Sequence, residues 1–308
     1  MSPPRGTPGG VTGIVDRARA AFFGVAVGDA LGATTEFMTP AEIRNRYGVL
    51  REIVGGGWLK LSPGQVTDDT EMTLCVARGI VRSERWDLRP IADRFAKWLS
   101  GNPADVGATC RRGIEEYIEK GQLEAPPDEK GAGNGAAMRV APVALYALGD
   151  EELLSRLAVE QAHITHHNPL SDAACVSVGT LIQRGLLGAP PRELRAAAEE
   201  LAARHPEFRF EKYDGKSSGY VVETLRTVFD AYFSTDSFED CVVKTVNRGG
   251  DADTTGSIAG AIAGARYGLA AIPQRWLQAL DPNLREELSA LAEDLVRKSP
   301  LFTGTSPR

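Results

Sequence analysis

Two short acidic segments of this sequence contain side chains that could bind a metal ion. The first runs from Thr67 to Glu71 (Thr-Asp-Asp-Thr-Glu) and the second from Gly249 to Thr255 (Gly-Gly-Asp-Ala-Asp-Thr-Thr). Each directly precedes a stretch with the apolar spacing of a helix, so both should be loops that lead into helix starts. Neighbouring residues in a helix point about 100° apart, so Asp68 and Asp69 can serve one site only from a loop or a first turn.

Helix capping is the plain alternative for these residues. Asp and Thr are favoured N-cap residues, and Asp68 with Glu71 resembles a capping box. Capping needs one such side chain, whereas each segment offers several in a row. If the segments meet, their carboxylates crowd together in a way that is costly without cations. Oxygen ligands suit Mg²⁺, Mn²⁺ or Ca²⁺, and neither segment has the EF-hand loop pattern. We therefore favour a divalent-cation site over capping.

Glycine spacing in two helical stretches predicts how the acidic segments are positioned. Three glycines recur every four residues in each stretch: Gly24, Gly28 and Gly32, then Gly256, Gly260 and Gly264. Glycine costs about 1 kcal/mol relative to alanine inside a helix, so such a stripe implies a compensating close contact. Acidic residues flank both stretches, which argues against a membrane pair. We expect two buried helices that touch and bring their acidic ends together.

Three other features are weaker candidates for a binding site. The loop with Gly133, Asn134 and Gly135 could offer backbone N–H groups to a phosphate, but a plain helix entry is equally consistent. Tyr220 could stack on a base or be an ordinary half-buried tyrosine. Asp105 could be a functional acid or simply the N-cap of the next helix.

The histidines near residue 165 have helical spacing but no HExxH pattern. From the residues alone we interpret them as solvated or core histidines rather than metal ligands. They are His163, His166 and His167.

Composition narrows the class of protein. The 308 residues are 43% hydrophobic and 25% charged, with a net charge of -6 and no basic stripe, which excludes a nucleic-acid binder. Four isolated cysteines predict reduced, buried thiols rather than a disulfide framework. The apolar run 20–27 is short and is soon followed by Asp29 and Glu36, so neither secretion nor membrane insertion fits. A cytoplasmic protein is predicted.

Apolar periodicity predicts an all-α fold with almost no strand. We expect a single compact multi-helix domain over 14–298, with a disordered N-terminal tail over 1–13 and a C-terminal tail over 299–308. The long connections 48–67, 122–135 and 205–218 are candidates for functional loops. Helices are predicted over 14–33, 70–83, 88–99, 106–121, 136–148, 150–162, 172–187, 191–204, 219–233, 237–246, 254–268 and 284–297.

In combination, these segments resemble the ADP-ribosylglycohydrolase family. The motifs that carry the resemblance occur in order at 24–36, 67–72, 133–139 and 249–256, and the likeness extends from about residue 14 to 298. Segments 55–58, 110–114, 164–166 and 169–175 are similar to the nitrogen-fixation members of the family. Two segments depart from that subgroup: Ala108 replaces its usual asparagine, and His166-His167-Asn168-Pro169 replaces its His-Asn-His-Pro.

The resemblance implies an all-helical fold with a cleft that holds two divalent cations, Mn²⁺ ahead of Mg²⁺. It places Glu36 on a loop over the metals and makes Asp105 the candidate general base. It brings the loop of Gly133, Asn134 and Gly135 to a diphosphate, His166 into the cleft and Tyr220 to an adenine. The implied metal ligands are Thr67, Asp68, Asp69, Asp251, Asp253 and Thr254.

The implied activity is hydrolysis of the N-glycosidic bond between ADP-ribose and an arginine side chain of a target protein. In a nitrogen-fixing host that target would be dinitrogenase reductase, with a PII-type signalling protein as regulator. Two alternatives remain open at this point. One is hydrolysis of another linkage, such as ADP-ribosyl-serine or O-acyl-ADP-ribose, and the other is a non-catalytic protein that only binds ADP-ribose.

Overall fold

A computed structural model describes residues 10–305, and their regular secondary structure is helical apart from two isolated bridges, Gly56 with Leu61 and Gly133 with Tyr220. Short 3₁₀ turns span Pro206–Phe208 and Leu269–Ala271. The α-helices of the described residues are α1 (Gly10–Gly32), α2 (Pro40–Tyr47), α3 (Asp68–Arg82), α4 (Arg89–Ser100), α5 (Ala108–Lys120), α6 (Ala141–Tyr146), α7 (Glu151–His163), α8 (Pro169–Leu186), α9 (Pro191–Arg204), α10 (Val221–Phe233), α11 (Phe238–Val246), α12 (Ala252–Tyr267), α13 (Gln274–Ala279), α14 (Pro282–Lys298) and α15 (Pro300–Thr303).

The all-α prediction is confirmed, and the differences lie at helix ends and in short helices. The predicted helix 136–148 is helical only over Ala141–Tyr146, since a turn precedes it and Pro142 occupies its first turn. Three short helices were missed: α2, α13 and α15. Thr39 and Glu42 form a capping box at the start of α2, a local signal that was present in the sequence.

The predicted tails are only partly described. Helix α1 begins at Gly10, so residues 10–13 are helical and the expected tail over 1–13 is wrong there. Residues 1–9 and 306–308 lie outside the described part of the chain. Helix α15 occupies part of the predicted C-terminal tail.

The centre of the molecule is an antiparallel contact between α1 and α12. A Cβ atom added to Gly24 would lie 2.0 Å from the carbonyl oxygen of Gly260, and one added to Gly28 would lie 2.0 Å from that of Gly256. One added to Gly32 would lie 2.1 Å from the carbonyl oxygen of Ala252. The glycines therefore allow backbone contact, as predicted, and the end of α1 meets the start of α12.

The other helices pack around this pair in one hydrophobic core. Helix α14 packs on α1, whereas α8, α10 and α11 pack on α12. Helix α3 contacts both central helices, which carries its acidic first turn to the place where they meet. The four cysteines are buried and unpaired. No described helix combines the length and the apolarity needed to cross a bilayer.

Candidate active site

The two acidic segments meet where α3 and α12 begin. The hydroxyl of Thr254 donates a hydrogen bond to Oδ2 of Asp69, at 3.1 Å. Glu36, Asp251 and Asp253 offer carboxylate oxygens that all lie within 4.8 Å of one another. The convergence predicted from the sequence is therefore present, and Glu36 joins it from the segment that follows α1.

These residues surround a cleft of about 360 Å³. Thr67 and Asp69 are buried beneath its wall rather than among its lining residues. Tyr220 is 42% exposed and lies next to the cleft: its backbone pairs with Gly133, which lines it. The predicted site residues that line the cleft are Glu36, Asp68, Asp105, Gly133, Asn134, Gly135, His166, Asp251, Asp253 and Thr254.

Helix capping does not explain the acidic segments. Thr67 and Asp251 occupy the N-cap positions of α3 and α12, yet neither side chain makes a capping hydrogen bond to its own described helix. The Thr67 hydroxyl donates instead to Asp29, at 2.9 Å, which leaves its oxygen lone pairs available as a ligand. Asp251 accepts a hydrogen bond from the Asn134 side-chain amide, at 2.6 Å.

Asp29 is a positioning residue that the sequence reasoning did not assign to the site. It is fully buried in α1 and accepts hydrogen bonds from the backbone and the hydroxyl of both Thr67 and Thr70. Burial raises its pKa to about 6, against the lowering effect of these four donors. A single acid among the glycines of the apolar stretch 20–32 was the available signal. Its role is to hold the first turn of α3 in place.

The carboxylates destabilise one another in the absence of a cation. Burial, with neighbouring carboxylates adding to it, raises the pKa of Asp68 to about 7 and that of Glu36 to about 8. The pKa values of Asp69 and Asp253 lie well above the usual range for the same reasons. Oδ1 of Asp69 is buried, and no donor among residues 10–305 reaches it. An orphaned anionic oxygen among other oxygen donors fits a hard divalent cation.

A glycine-rich loop positions an aromatic residue at the mouth of the cleft. The indole N–H of Trp58 donates to Oε2 of Glu36 at 2.5 Å, and the ring of Phe37 lies 5.4 Å from the Trp58 ring. Gly57 has a φ of 66°, and a Cβ there would lie 2.1 Å from the carbonyl oxygen of Ala33. The loop therefore needs glycine at this point, and Trp58 orients the Glu36 carboxylate.

His166 is held as a neutral donor by a hydrogen-bonded chain. Buried Arg139 donates to the Thr165 hydroxyl oxygen at 2.8 Å, and that hydroxyl lies 2.7 Å from Nδ1 of His166. Arginine only donates, and Nδ1 is the one acceptor that the described residues bring to the threonine proton, so this proton points to Nδ1 and the ring proton is on Nε2. Burial, with Arg139 second, lowers the His166 pKa to about 3. The Nε2 proton faces Gly133, where a Cβ would lie 2.8 Å away.

Asp105 is not a helix cap. The N-cap of α5 is Gly107, whose N–H donates to Oδ2 of Asp68 at 3.3 Å. Asp105 lines the cleft half-buried, and its Oδ1 accepts the N–H of Val106 at 2.7 Å. Burial raises its pKa, and Asp251 raises it further. A carboxylate in this position is suited to accept a proton.

The loop of Gly133 to Gly135 was expected to offer free backbone N–H groups to a phosphate, and two of its N–H groups are not free. The N–H of Gly133 donates to Gly131, and that of Asn134 donates to Gly219, so these two backbone donors are not free for a phosphate. The Asn134 side-chain amide is used by Thr224 and Asp251. Sequence spacing could not show these partners, because they come from distant segments. The loop provides space beside His166 and orients Asp251.

Comparison with known proteins identifies the family. The sequence profile of the ADP-ribosylglycohydrolase family matches residues 11–301. This chain belongs to the ADP-ribosylglycohydrolase family.

Individual family members agree with the profile. The chain is 49% identical to the ADP-ribosyl-[dinitrogen reductase] glycohydrolase of Rhodospirillum rubrum, over 91% of this chain and 96% of the relative. It is 32% identical to the ADP-ribosylarginine hydrolase Tri1 of Serratia proteamaculans (strain 568), over 93% and 80%. A solved structure described as an ADP-ribosylglycohydrolase-related protein complex superposes with a TM-score of 0.84 at 38% identity, covering 94% of this chain and 99% of that one.

Proposed function

We propose that this chain hydrolyses the N-glycosidic bond that joins ADP-ribose to an arginine side chain of a target protein. The name of the Serratia proteamaculans relative, an ADP-ribosylarginine hydrolase that matches 93% of the chain, supports arginine as the modified residue. The observation that carries the proposal is the meeting of Asp68 and Asp69 with Asp251 and Asp253 at one cleft. The target in a nitrogen-fixing host is dinitrogenase reductase, by similarity to the Rhodospirillum rubrum relative.

The proposal includes two divalent cations, Mn²⁺ ahead of Mg²⁺. When bound, the ions neutralise the carboxylates and stabilise negative charge that develops on substrate oxygens. The unpartnered Oδ1 of Asp69 and the lone pairs of the Thr67 hydroxyl support this assignment. Glu36 lies close enough to Asp251 and Asp253 to be an additional ligand. The proposed ligands are Thr67, Asp68, Asp69, Asp251, Asp253 and Thr254.

The chain's own groups then have distinct roles. Two cleft carboxylates lie outside the six proposed ligands, Glu36 and Asp105. Because Glu36 lies against Asp251 and Asp253, Asp105 is the group that accepts a proton from water or from a ribose hydroxyl. His166 donates a hydrogen bond from Nε2 to a substrate oxygen and stays neutral. Gly133 and Gly135 leave room for the diphosphate beside it. Tyr220, exposed at the edge, contacts the adenine.

Release of ADP-ribose from defined substrates tests the function. The full chain with Mn²⁺ should release ADP-ribose from an ADP-ribosyl-arginine peptide and from ADP-ribosylated dinitrogenase reductase. The same peptide modified on serine and an O-acyl-ADP-ribose test the other linkages. Faster release from either of these two substrates would show that its linkage, and not the arginine linkage, is the preferred one. Tight ADP-ribose binding without release from any substrate would make the chain a binding protein.

The proposal also includes the bounds of the catalytic domain and a regulatory partner. Residues 14–298 form one catalytic domain, supported by the single core that joins α1 to α14.

A PII-type signalling protein is the proposed regulator, through similarity to the nitrogen-fixation members. A pull-down with a purified PII-type protein, with and without its nucleotide ligand, tests that partner.

A further inference from the structure

A second cluster of ligand-type side chains lies away from the acidic site, where α7 ends. Glu124, His163 and His167 offer ligand atoms that all lie within 4.8 Å of one another. The Glu124 side chain is 62% exposed, whereas those of the two histidines are mostly covered. A surface cavity of about 630 Å³, lined by residues 122–127 and His167, opens onto the cluster. The cluster is therefore accessible to an ion from solvent.

His163 lies between two carboxylates. Its Nε2 is 3.1 Å from both oxygens of Asp172, and its Nδ1 is 3.2 Å from Oε1 of Glu124. A neutral imidazole has one N–H. If that proton is shared with Asp172, the contact between Nδ1 and a carboxylate oxygen is favourable with a positive charge between them. A second ring proton supplies it, since the hydrogen bond to Asp172 raises the pKa of His163, and a metal ion can take the place of that proton. A carboxylate that accepts the second ring N–H is also the usual partner of a metal-bound histidine.

The backbone around the cluster is held in place. His167 Nδ1 lies 2.9 Å from the carbonyl oxygen of Ala125 and 3.4 Å from Glu124, and its ring stacks on that of His163 at 3.8 Å. The N–H of Ala125 donates to the carbonyl of His163, and the N–H of Asp128 donates to that of His167. The loop with Glu124 is thus already docked on the histidine segment, so ligand binding needs only side-chain movement.

We propose that Glu124, His163 and His167 form a Zn²⁺ site that is separate from the acidic site, with Asp172 orienting His163. Two imidazoles, one carboxylate and a water complete the four-coordinate arrangement that zinc prefers. Nitrogen ligands favour zinc over Mg²⁺ and Mn²⁺, which suit the oxygen-only site.

The site would connect the loop of residues 122–131 to the end of α7. His166 and His167 line one cavity of about 240 Å³ with that loop, and His166 also lines the main cleft. Zinc bound here would therefore fix the segment that presents His166. The sequence interpretation of these histidines as non-ligands rested on the lack of an HExxH pattern, and it could not include Glu124, which is 39 residues from His163 in the chain.

Zinc titration of the full chain tests the site. The protein is saturated with Mg²⁺ and titrated with ZnCl₂ against a chromophoric chelator, and each variant is first checked for helical content by circular dichroism. His167→Ala and Glu124→Gln should each lose one tight zinc equivalent. His205→Ala is the matched control, since it removes a histidine outside the cluster, and it should keep that equivalent. Asp172→Asn should weaken the same equivalent roughly 10- to 100-fold.

Cobalt gives an independent spectroscopic readout. Co²⁺ added to the Mg²⁺-saturated chain should give visible absorption bands that are absent in His167→Ala and kept in His205→Ala. The same zinc stoichiometry and affinity in His167→Ala, Glu124→Gln and the unsubstituted chain would overturn the proposal. So would a chain that binds no zinc beyond the acidic site, because the cluster would then hold only a proton.

Discussion

The hydroxyl of Thr254 lies 3.1 Å from Oδ2 of Asp69, although the two residues are 185 positions apart in the chain. The other oxygen of the same carboxylate, Oδ1, is buried with no donor among residues 10–305. One oxygen of Asp69 is therefore hydrogen-bonded to α12, whereas the other has no donor, and burial, with nearby Asp29, Asp68 and Asp251 adding to it, raises the pKa of this carboxyl. Removal of one carboxylate of this site should weaken metal binding and should stabilise the metal-free protein.

Asp253→Asn should reduce bound Mn²⁺ below two ions per chain and abolish ADP-ribose release. The same change should raise the melting temperature in excess chelator, because it removes a buried carboxylate whose pKa is raised by burial and by Asp251. Elemental analysis and thermal unfolding measure the two effects. Asp214→Asn, on an exposed loop, is the control. Unchanged Mn²⁺ content in Asp253→Asn would refute the ligand assignment.

Metal-free protein should lose stability as the pH rises from about 6.5 to about 8.5. The pKa values of Asp68 and Glu36, raised to about 7 and about 8, exceed their unfolded values near 4, so the folded state holds protons that the unfolded state has released. Stability contributed in this way is complete below the unfolded values and is lost progressively until the pH exceeds the folded values.

The predicted loss of stability starts at about pH 6.5 because the stability that His166 contributes increases with pH below this value. Its pKa is lowered to about 3, so its contribution is complete above the unfolded value of about 6.5. Melting temperatures across this window, in chelator and in Mn²⁺, check the prediction. Mn²⁺ should remove the fall, since it keeps the carboxylates ionised. A melting temperature that rises with pH in chelator would contradict the electrostatic account.

Asp105→Asn should lower turnover about 10²- to 10⁴-fold, the usual loss when a general base is removed. Its Mn²⁺ content should stay normal, because Asp105 lies outside the proposed ligand set. Asp68→Asn is the contrasting variant and should lose metal and turnover together. Steady-state kinetics with elemental analysis separates the two. If Asp105→Asn kept full turnover, another group would have to accept the proton.

Thr165→Val should release His166 from its single tautomer. The valine cannot donate to Nδ1, and it leaves a buried Arg139 N–H without an acceptor, at about 1–3 kcal/mol of stability. Imidazole ¹⁵N shifts should show the Nε2–H form alone in the unsubstituted chain and a mixture of tautomers in Thr165→Val. Thr165→Ser keeps the hydroxyl and should restore the single form. If the unsubstituted protein already showed a mixture of His166 tautomers, the proposed hydrogen bonds from Arg139 to Thr165 and from Thr165 to His166 would be disproved.

Gly28→Ala should make the fold less stable, because the steric cost exceeds the roughly 1 kcal/mol that alanine gains over glycine in helix propensity. Its Cβ would lie 2.0 Å from the carbonyl oxygen of Gly256, so α1 and α12 would have to separate, which typically costs about 1–3 kcal/mol net. Gly179→Ala is the matched control in α8, because its Cβ meets only the movable end of the Leu154 side chain. Denaturant unfolding compares the two, and equal stability would contradict direct backbone contact.

Much of the architecture follows from local patterns. Apolar spacing predicts the long helices, and the two glycine stripes predict the contact between α1 and α12. Adjacent oxygen ligands at the starts of α3 and α12 predict a cation site. Each pattern lies within a few residues, where helix geometry alone sets which side chains share a face. Thr39 and Glu42 at the start of α2 were such a local signal, and it was missed.

The hydrogen-bond partners at the cleft needed the packed fold. Asp29 reaches Thr67 across 38 residues, Trp58 reaches Glu36 across 22, and Asn134 reaches Asp251 across 117. A residue type states which bonds a side chain can make, but its partner depends on which helix faces and loops come together. His163 shows the same limit, because Glu124 reaches it from a loop that no periodic pattern describes. Chemical capability is therefore readable along the chain, whereas the pairing of donors with acceptors is set by packing.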